Sequence, residues 1–361
     1  MSGDADNYET ALKTSSSETV AAFSERKGAL ARVQHALHVT PALVPLFVLV
    51  VSIVIFGLLL GSKFFSPFAL TLILQQVQIV GIVAAAQSLV ILTAGIDLSV
   101  GAIAVLSSVI MGQFTFRYGL PVEVAVAAGL VFGTLIGSIN GWLIAVMKLP
   151  PFIVTLGMWQ IVLAANFLYS KNATIRSQDI EAEAPLLQFL GTTFKIGADV
   201  DGRGGASFTY GVIAMVLIFA ILSYVLSQTA WGRHVYAVGD DAEAAQLSGV
   251  NVKATLISVY AVTGFICAIA GWALIGRIGS VSPTSGQLLN IESITAVVIG
   301  GISLFGGRGS IMGPLFGALI VGVFTLGLRL AGADAQWTFL LIGALIIGAV
   351  AVDQWIRKVS A

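Results

Sequence analysis

Charge is what this sequence lacks. Only 10% of its 361 residues are charged and 57% are hydrophobic, whereas a soluble globular protein carries about 25% charged residues. That is too little charge to clothe a water-exposed surface, so lipid is the solvent the chain expects. The 18 basic and 18 acidic residues cancel, which leaves a nucleic-acid partner no electrostatic footing. A single cysteine, Cys267, excludes an internal disulfide. The three histidines, His35, His38 and His234, all fall outside apolar runs and argue against a buried metal cluster.

Two further absences bear on chemistry. A phosphate-binding Walker loop needs Gly directly before Lys, and no lysine here follows a glycine. ATP hydrolysis is therefore not expected on this chain, nor any bound cofactor. Buried carboxylates, the usual proton sites of coupled carriers, are also scarce. Asp97 and Glu292, both at the edges of apolar runs, are the serious candidates. No cleavable signal sequence is read in residues 1–40, which are polar, Ser-rich and acidic before turning basic at Arg26, Lys27 and Arg32; a signal peptide starts basic and turns apolar at once. This stretch is expected to be a disordered cytoplasmic arm.

What is present is apolar length. A membrane helix needs about 20 apolar residues. Charge-free stretches recur at 41–61, 69–94, 98–116, 124–147, 151–170, 207–230, 254–276, 293–307, 309–328 and 335–352. A charge at the bilayer centre costs about 2.5–3.5 kcal/mol, so ten such stretches imply an all-α, polytopic bundle of about ten helices, with Gly-rich breaks in 69–116 and 291–328. A start inside the cell puts ten basic residues on inner segments and eight on outer ones. That favours both termini in the cytoplasm. The transmembrane domain then spans 41–355, with an external loop at 171–206, an inner loop at 228–253 and a tail at 356–361. The forty glycines suit close helix packing in lipid.

A weak internal echo pairs Gly95–Gly101 with Gly301–Gly307 and Gly129–Ile136 with Gly313–Ile320. The paired motifs lie 34 residues apart in one case and 12 in the other, so simple duplication is not established by sequence.

Three groups of residues carry possible function. In Gly95-Ile96-Asp97-Leu98-Ser99-Val100-Gly101, Asp97 precedes a new apolar run and suits an N-cap. A broken helix in a membrane must face protein or a watery cavity, so Asp97 and Ser99 either border a permeation path or merely cap a turn. Gln76 and Gln87 lie eleven residues apart, near a whole number of helical turns. With Asn140, Thr155, Gln160 and Asn166 they supply neutral donors and acceptors suited to a polyol. Interhelical hydrogen bonding is the alternative for each one. In the segment from Trp231 to Val250, Asp240 and Glu243 are spaced as a capping box and Gly249 suits a helix end. The short helix this predicts exposes Ala244 and Ala245 as a small face for a partner's groove, or else it is a solvated connector.

The run Leu92-Thr93-Ala94-Gly95-Ile96-Asp97-Leu98-Ser99-Val100-Gly101 resembles a signature of sugar permeases in bacterial ABC importers. So do Pro150–Met158, Gly239–Gly249 and Gly300–Gly309, in family order across about residues 45–355. The group includes ribose, xylose and galactose permeases, and overall likeness is greatest to fructose importer permeases. The resemblance implies an inner-membrane transport subunit without enzymatic activity of its own. It also implies a second copy of the permease, an ATP-binding subunit that holds ATP and Mg, and a periplasmic sugar-binding protein. Coupling to the ATPase is then expected at Gly239, Asp240, Asp241, Glu243, Ala244, Ala245, Ser248 and Gly249. A proton-coupled secondary carrier using Asp97 or Glu292 is the other reading, and a polytopic membrane enzyme a third, for which no catalytic cluster is found.

Overall fold

The computed structural model describes residues 42–198 and 204–360; the N-terminal arm assigned to residues 1–40 lies outside them. The chain is a helical bundle. Its main helices are α1 (Leu43–Leu60), α2 (Pro67–Leu92), α3 (Val100–Phe116), α4 (Val122–Ala145) and α5 (Pro151–Ser170), followed by α7 (Tyr210–Gln228), α10 (Val252–Ile278), α11 (Leu289–Ile299), α12 (Met312–Leu330) and α13 (Ala335–Ser360). Nine of the charge-free stretches fall largely on one of these helices, whereas 293–307 is divided between α11 and the loop that follows it. Among the described residues seven helices are long and apolar enough to cross a membrane alone; the apolar parts of α3, α11 and α13 are shorter. At 1.5 Å per residue, the eleven residues of α11 reach about 16 Å, half the hydrocarbon thickness. Helix α13 continues to Ser360, past the boundary at 355 drawn from composition.

The core forms around α2 and α10. Every residue of α2 from Val77 to Leu92 is buried, and a helix apolar on all sides belongs inside its bundle. The two helices run antiparallel: Thr263 Oγ1 donates to the Ala86 carbonyl at 3.2 Å, and Arg277 Nη2 to Gln76 Oε1 at 2.6 Å. Helices α4 and α10 cross at Gly133, Gly137 and Gly264, where an added Cβ would strike the facing backbone. Outward faces carry bare apolar side chains such as Leu58, Leu168 and Ile347, as lipid permits.

Two runs of four helices share one packing pattern. Helix α2 packs on α11 and α12 as α10 packs on α3 and α4, and α3, α4 and α5 contact each other as α11, α12 and α13 do. With α2 and α10 antiparallel, the runs form an inverted repeat. This sorts the two sequence echoes. Gly129–Ile136 and Gly313–Ile320 fall on the equivalent helices α4 and α12. Gly95–Gly101 and Gly301–Gly307 do not correspond, since one joins α2 to α3 and the other joins α11 to α12.

The segment expected as a plain external loop is largely folded. It holds α6 (Ser177–Glu183), a 3-10 turn (Pro185–Gly191) and an antiparallel hairpin of β1 (Thr193–Ala198) and β2 (Gly204–Thr209), in register from Thr193↔Thr209 to Ala198↔Gly204. Trp272 Nε1 donates to the Leu186 carbonyl at 3.0 Å and the Ser207 amide to Thr71 Oγ1 at 2.8 Å, pinning this cap to α10 and α2. The inner loop folds into α8 (Ala230–Asp240) and α9 (Ala242–Leu247).

Candidate functional site: a helix break and the seam beneath it

Helix α2 stops where its backbone turns left-handed. Ala94 has φ +58°, its amide donates to the Ile91 carbonyl and the Gly95 amide to the Val90 carbonyl. These are the paired bonds of a Schellman end. Alanine at a position that favours glycine is strained there. Gly95 follows because a Cβ on it would meet the Tyr260 hydroxyl.

Past this end Asp97 closes the break. Its Oδ1 accepts the Ser99 amide at 2.7 Å and the Ser99 hydroxyl at 2.6 Å. The N-cap of α3 is Ser99, without a side-chain cap bond, so Asp97 acts as a turn closer two residues earlier rather than as the cap itself. Asn140 Nδ2 on α4 donates to Ser99 Oγ at 3.0 Å. Thr155 Oγ1 on α5 lies 2.9 Å from the Ile96 carbonyl and 3.0 Å from that of Pro151. The Gln87 amide, oriented to satisfy both of its neighbours, donates to the Asp97 carbonyl at 3.0 Å and accepts the Asp97 amide at 3.2 Å. Asp97, Ser99, Gln87, Asn140 and Thr155 are all buried, and the fold brings these five together from four elements.

Three polar atoms around the break have no partner among the described residues: Asp97 Oδ2, Asn140 Oδ1 and the Tyr260 hydroxyl. Each buried orphan costs about 1–3 kcal/mol.

The remaining polar residues lie elsewhere. Gln76 shares a helix with Gln87 but sits about 16 Å away along it, bonded to Arg277. Asn166 holds the Pro283 carbonyl at 2.8 Å, a packing role. Gln160 is exposed on the outward face of α5, in line with the exposed Gly157 and Ala164.

Beneath the break runs a seam. The last carbonyl of α2, from Leu92, accepts the Gly307 amide at 3.0 Å. Gly239, near the end of α8, presses on the same carbonyl closely enough that a Cβ would collide with it. Tyr236 Oη donates to the Gly309 carbonyl at 2.9 Å, and burial pushes its phenol pKa up, which keeps it a donor. Trp231 Nε1 donates to Ser258 Oγ at 2.8 Å, fixing α8 to α10. The Gly300–Gly309 loop is thus wedged between α8 and the break.

Helix α9 is the short inner helix that the sequence anticipates, with two corrections. Its N-cap is Asp241, whose Oδ1 accepts the Glu243 and Ala244 amides at 2.9 and 3.0 Å; Asp240 instead ends α8. Ala245 is buried against its own chain while Ala244 is exposed, so the two do not form one free face. Gly249, at φ +90°, closes α9 with the Gly249 amide on Gln246 and the Val250 amide on Ala245. Sequence reasoning overlooked Leu247, whose side chain is 89% exposed on this short helix. An isolated leucine in a polar run was the available signal.

Residues 69–350 match the family model described as the branched-chain amino acid transport system / permease component. The chain is 69% identical to the fructose import permease protein FrcC of Rhizobium meliloti, over 98% of this chain and 96% of that one. It is 37% identical to the ribose import permease protein RbsC of Bacillus subtilis, over 88% and 92%, and 32% identical to the xylose transport system permease protein XylH of Escherichia coli K12, over 80% and 85%. No solved structure matches it.

Proposed function

This chain belongs to that transport permease family, and from that premise we propose that it is the membrane-spanning subunit of an ATP-driven importer that carries a monosaccharide, fructose first, into the cytoplasm. It is a multi-pass inner-membrane transport subunit, not an enzyme. An ATP-binding subunit supplies the work and holds ATP and Mg; a periplasmic binding protein delivers the sugar; a second copy of the chain completes the conduit. Both termini lie in the cytoplasm.

The observation that carries the mechanism is the seam at Leu92, where α8 and the Gly300–Gly309 loop meet the broken end of α2. In this reading α9 docks on the ATPase through Asp241, Glu243, Ala244, Leu247 and Ser248, with Gly249 setting its end. Closure of the ATPases draws α9 and α8 inward, and Gly239 transmits that displacement to Leu92. The break at Asp97 shifts against Asn140 and Thr155, and its orphaned polar atoms meet solute. Sugar moves because the two states bind it differently. Gln160 faces the path between the two copies, where a neutral amide is useful and a lipid contact is costly; Gln76 stands at the outer mouth.

The test is uptake of labelled fructose into vesicles holding this chain, its ATPase and its binding protein. ATP-dependent uptake that survives collapse of the proton gradient is expected. Concentration of sugar by this chain alone on an ion gradient would overturn the reading.

A further inference from the structure

At the inner end of α4 the chain turns through Lys148, Leu149 and Pro150 into α5, and beside this turn α9 gives way to α10. Between them lies a cavity of ≈ 540 Å³. Ile144, Leu149, Val252 and Leu256 form an apolar wall, Lys148 and Lys253 stand at its polar side, and no acidic residue among those described lines it. Neither lysine forms an ion pair with any described residue. The neighbouring outward faces, with Trp142, Met147 and Phe152 exposed, meet lipid, so the cavity opens where hydrocarbon gives way to headgroups.

Both lysines stand where local structure penalises them. Lys148 has φ +56°, a conformation that strains any residue with a Cβ and suits glycine. Lys253 lies in the first turn of α10, where the positive end of the helix repels a cation. An anion in the cavity reverses the second penalty, since it draws on both ammonium groups and on the helix end at once. The wall supplies what a free anion would not need, a surface for the first carbons of an acyl chain.

We propose that this cavity binds the phosphate headgroup of an anionic phospholipid of the inner leaflet, with Lys148 and Lys253 holding the phosphate and Ile144, Leu149 and Leu256 the start of a chain. Basic pockets between membrane helices recognise such headgroups. Gln246 at the end of α9 also lines the cavity, so an occupying lipid braces the inner helix against the membrane. The site is independent of which ATPase or sugar the permease serves.

Native mass spectrometry of the full-length chain, released from mild detergent and titrated with phosphatidylglycerol or phosphatidylcholine, tests it. Phosphatidylglycerol is retained in preference. The Lys148→Gln/Lys253→Gln double variant weakens that retention roughly thirtyfold, from the attraction of each lysine to an anionic headgroup, while its thermal unfolding is unchanged. The Lys148→Arg/Lys253→Arg variant keeps it. Equal retention of the two lipids, an unaltered Gln variant, or loss of binding in the Arg variant overturns the proposal. So does capture of inorganic phosphate alone with the same affinity, which makes this a free-anion site. If the Gln variant loses co-purifying ATPase subunit yet keeps its lipid, the pocket belongs to an acidic protein surface instead.

Discussion

The Leu92 carbonyl accepts the Gly307 amide at 3.0 Å, so the C-terminal end of α2 is tied to a loop 215 positions further on, and Gly239 rests on that same carbonyl. A helix end that normally bonds to its own backbone or to water is here held by two remote segments. Four predictions follow from this and the sites around it.

Gly239→Ala places a methyl against the Leu92 carbonyl. Overpacking of this kind costs about 1–3 kcal/mol. The variant is expected to insert into the membrane, to unfold at a lower temperature, and to lose most ATP-driven fructose uptake while the partner's ATPase activity persists. Unchanged uptake would remove Gly239 from the coupling route.

Asp97→Ala removes the acceptor of both Ser99 bonds and should abolish uptake and lower the unfolding temperature, since a lost buried network costs about 1–3 kcal/mol. Asp97→Asn keeps one oxygen for Ser99 and offers a donor where Oδ2 now lacks a partner. Asn is therefore expected to retain the fold and a substantial share of transport. If Asn fails as fully as Ala, the negative charge itself is required and the turn-closing account is incomplete.

Leu247→Ala strips an 89% exposed side chain, so the stability of the isolated permease should not move. Its binding to the ATPase should weaken by about 1–3 kcal/mol, the range for a leucine that becomes buried, read by titrating the ATPase subunit onto permease in nanodiscs. An equal affinity would place the docking surface elsewhere on α9.

Gln160→Leu replaces an outward amide by an apolar group of similar size. A path-lining role predicts reduced fructose uptake with intact membrane insertion and ATPase binding. A lipid-facing Gln160 would predict the reverse, a more stable permease with normal uptake.

The helical, polytopic character was legible because lipid punishes charge strongly enough to write apolar length into composition. The helix break at Asp97 was legible for the same reason: Gly95 and a carboxylate inside an apolar region are costly unless a turn uses them. The precise cap was not legible, since Asp97 and Ser99 both suit it by residue type, and the helix begins after Ser99. Likewise Asp240 and Asp241 are both good caps, and the continuation of α8 through Asp240 selects the second. Gln76 and Gln87 both lie on α2, but their spacing says nothing about depth, and about 16 Å of helix separates their partners. The seam was out of reach altogether. It joins Leu92, Gly239 and Gly307 through backbone atoms, and backbone contacts leave no side-chain pattern beyond a small residue where space is short. The fold of the segment from Ser177 to Thr209 was not legible because its elements are short and held by α2 and α10 rather than by their own periodicity.

Helix α11 spans half of the apolar layer, and the loop after it is secured by few backbone bonds, among them Ser303 to Arg308, Gly306 to Ser303 and Gly307 to Leu92. Such a segment can re-seat by trading a handful of contacts, with no turn of helix unwound and no long helix dragged through lipid. Compliance is thereby concentrated at one joint while α2 and α10 stay stiff on either side, so a displacement of α8 reaches the end of α2 instead of being absorbed along a helix.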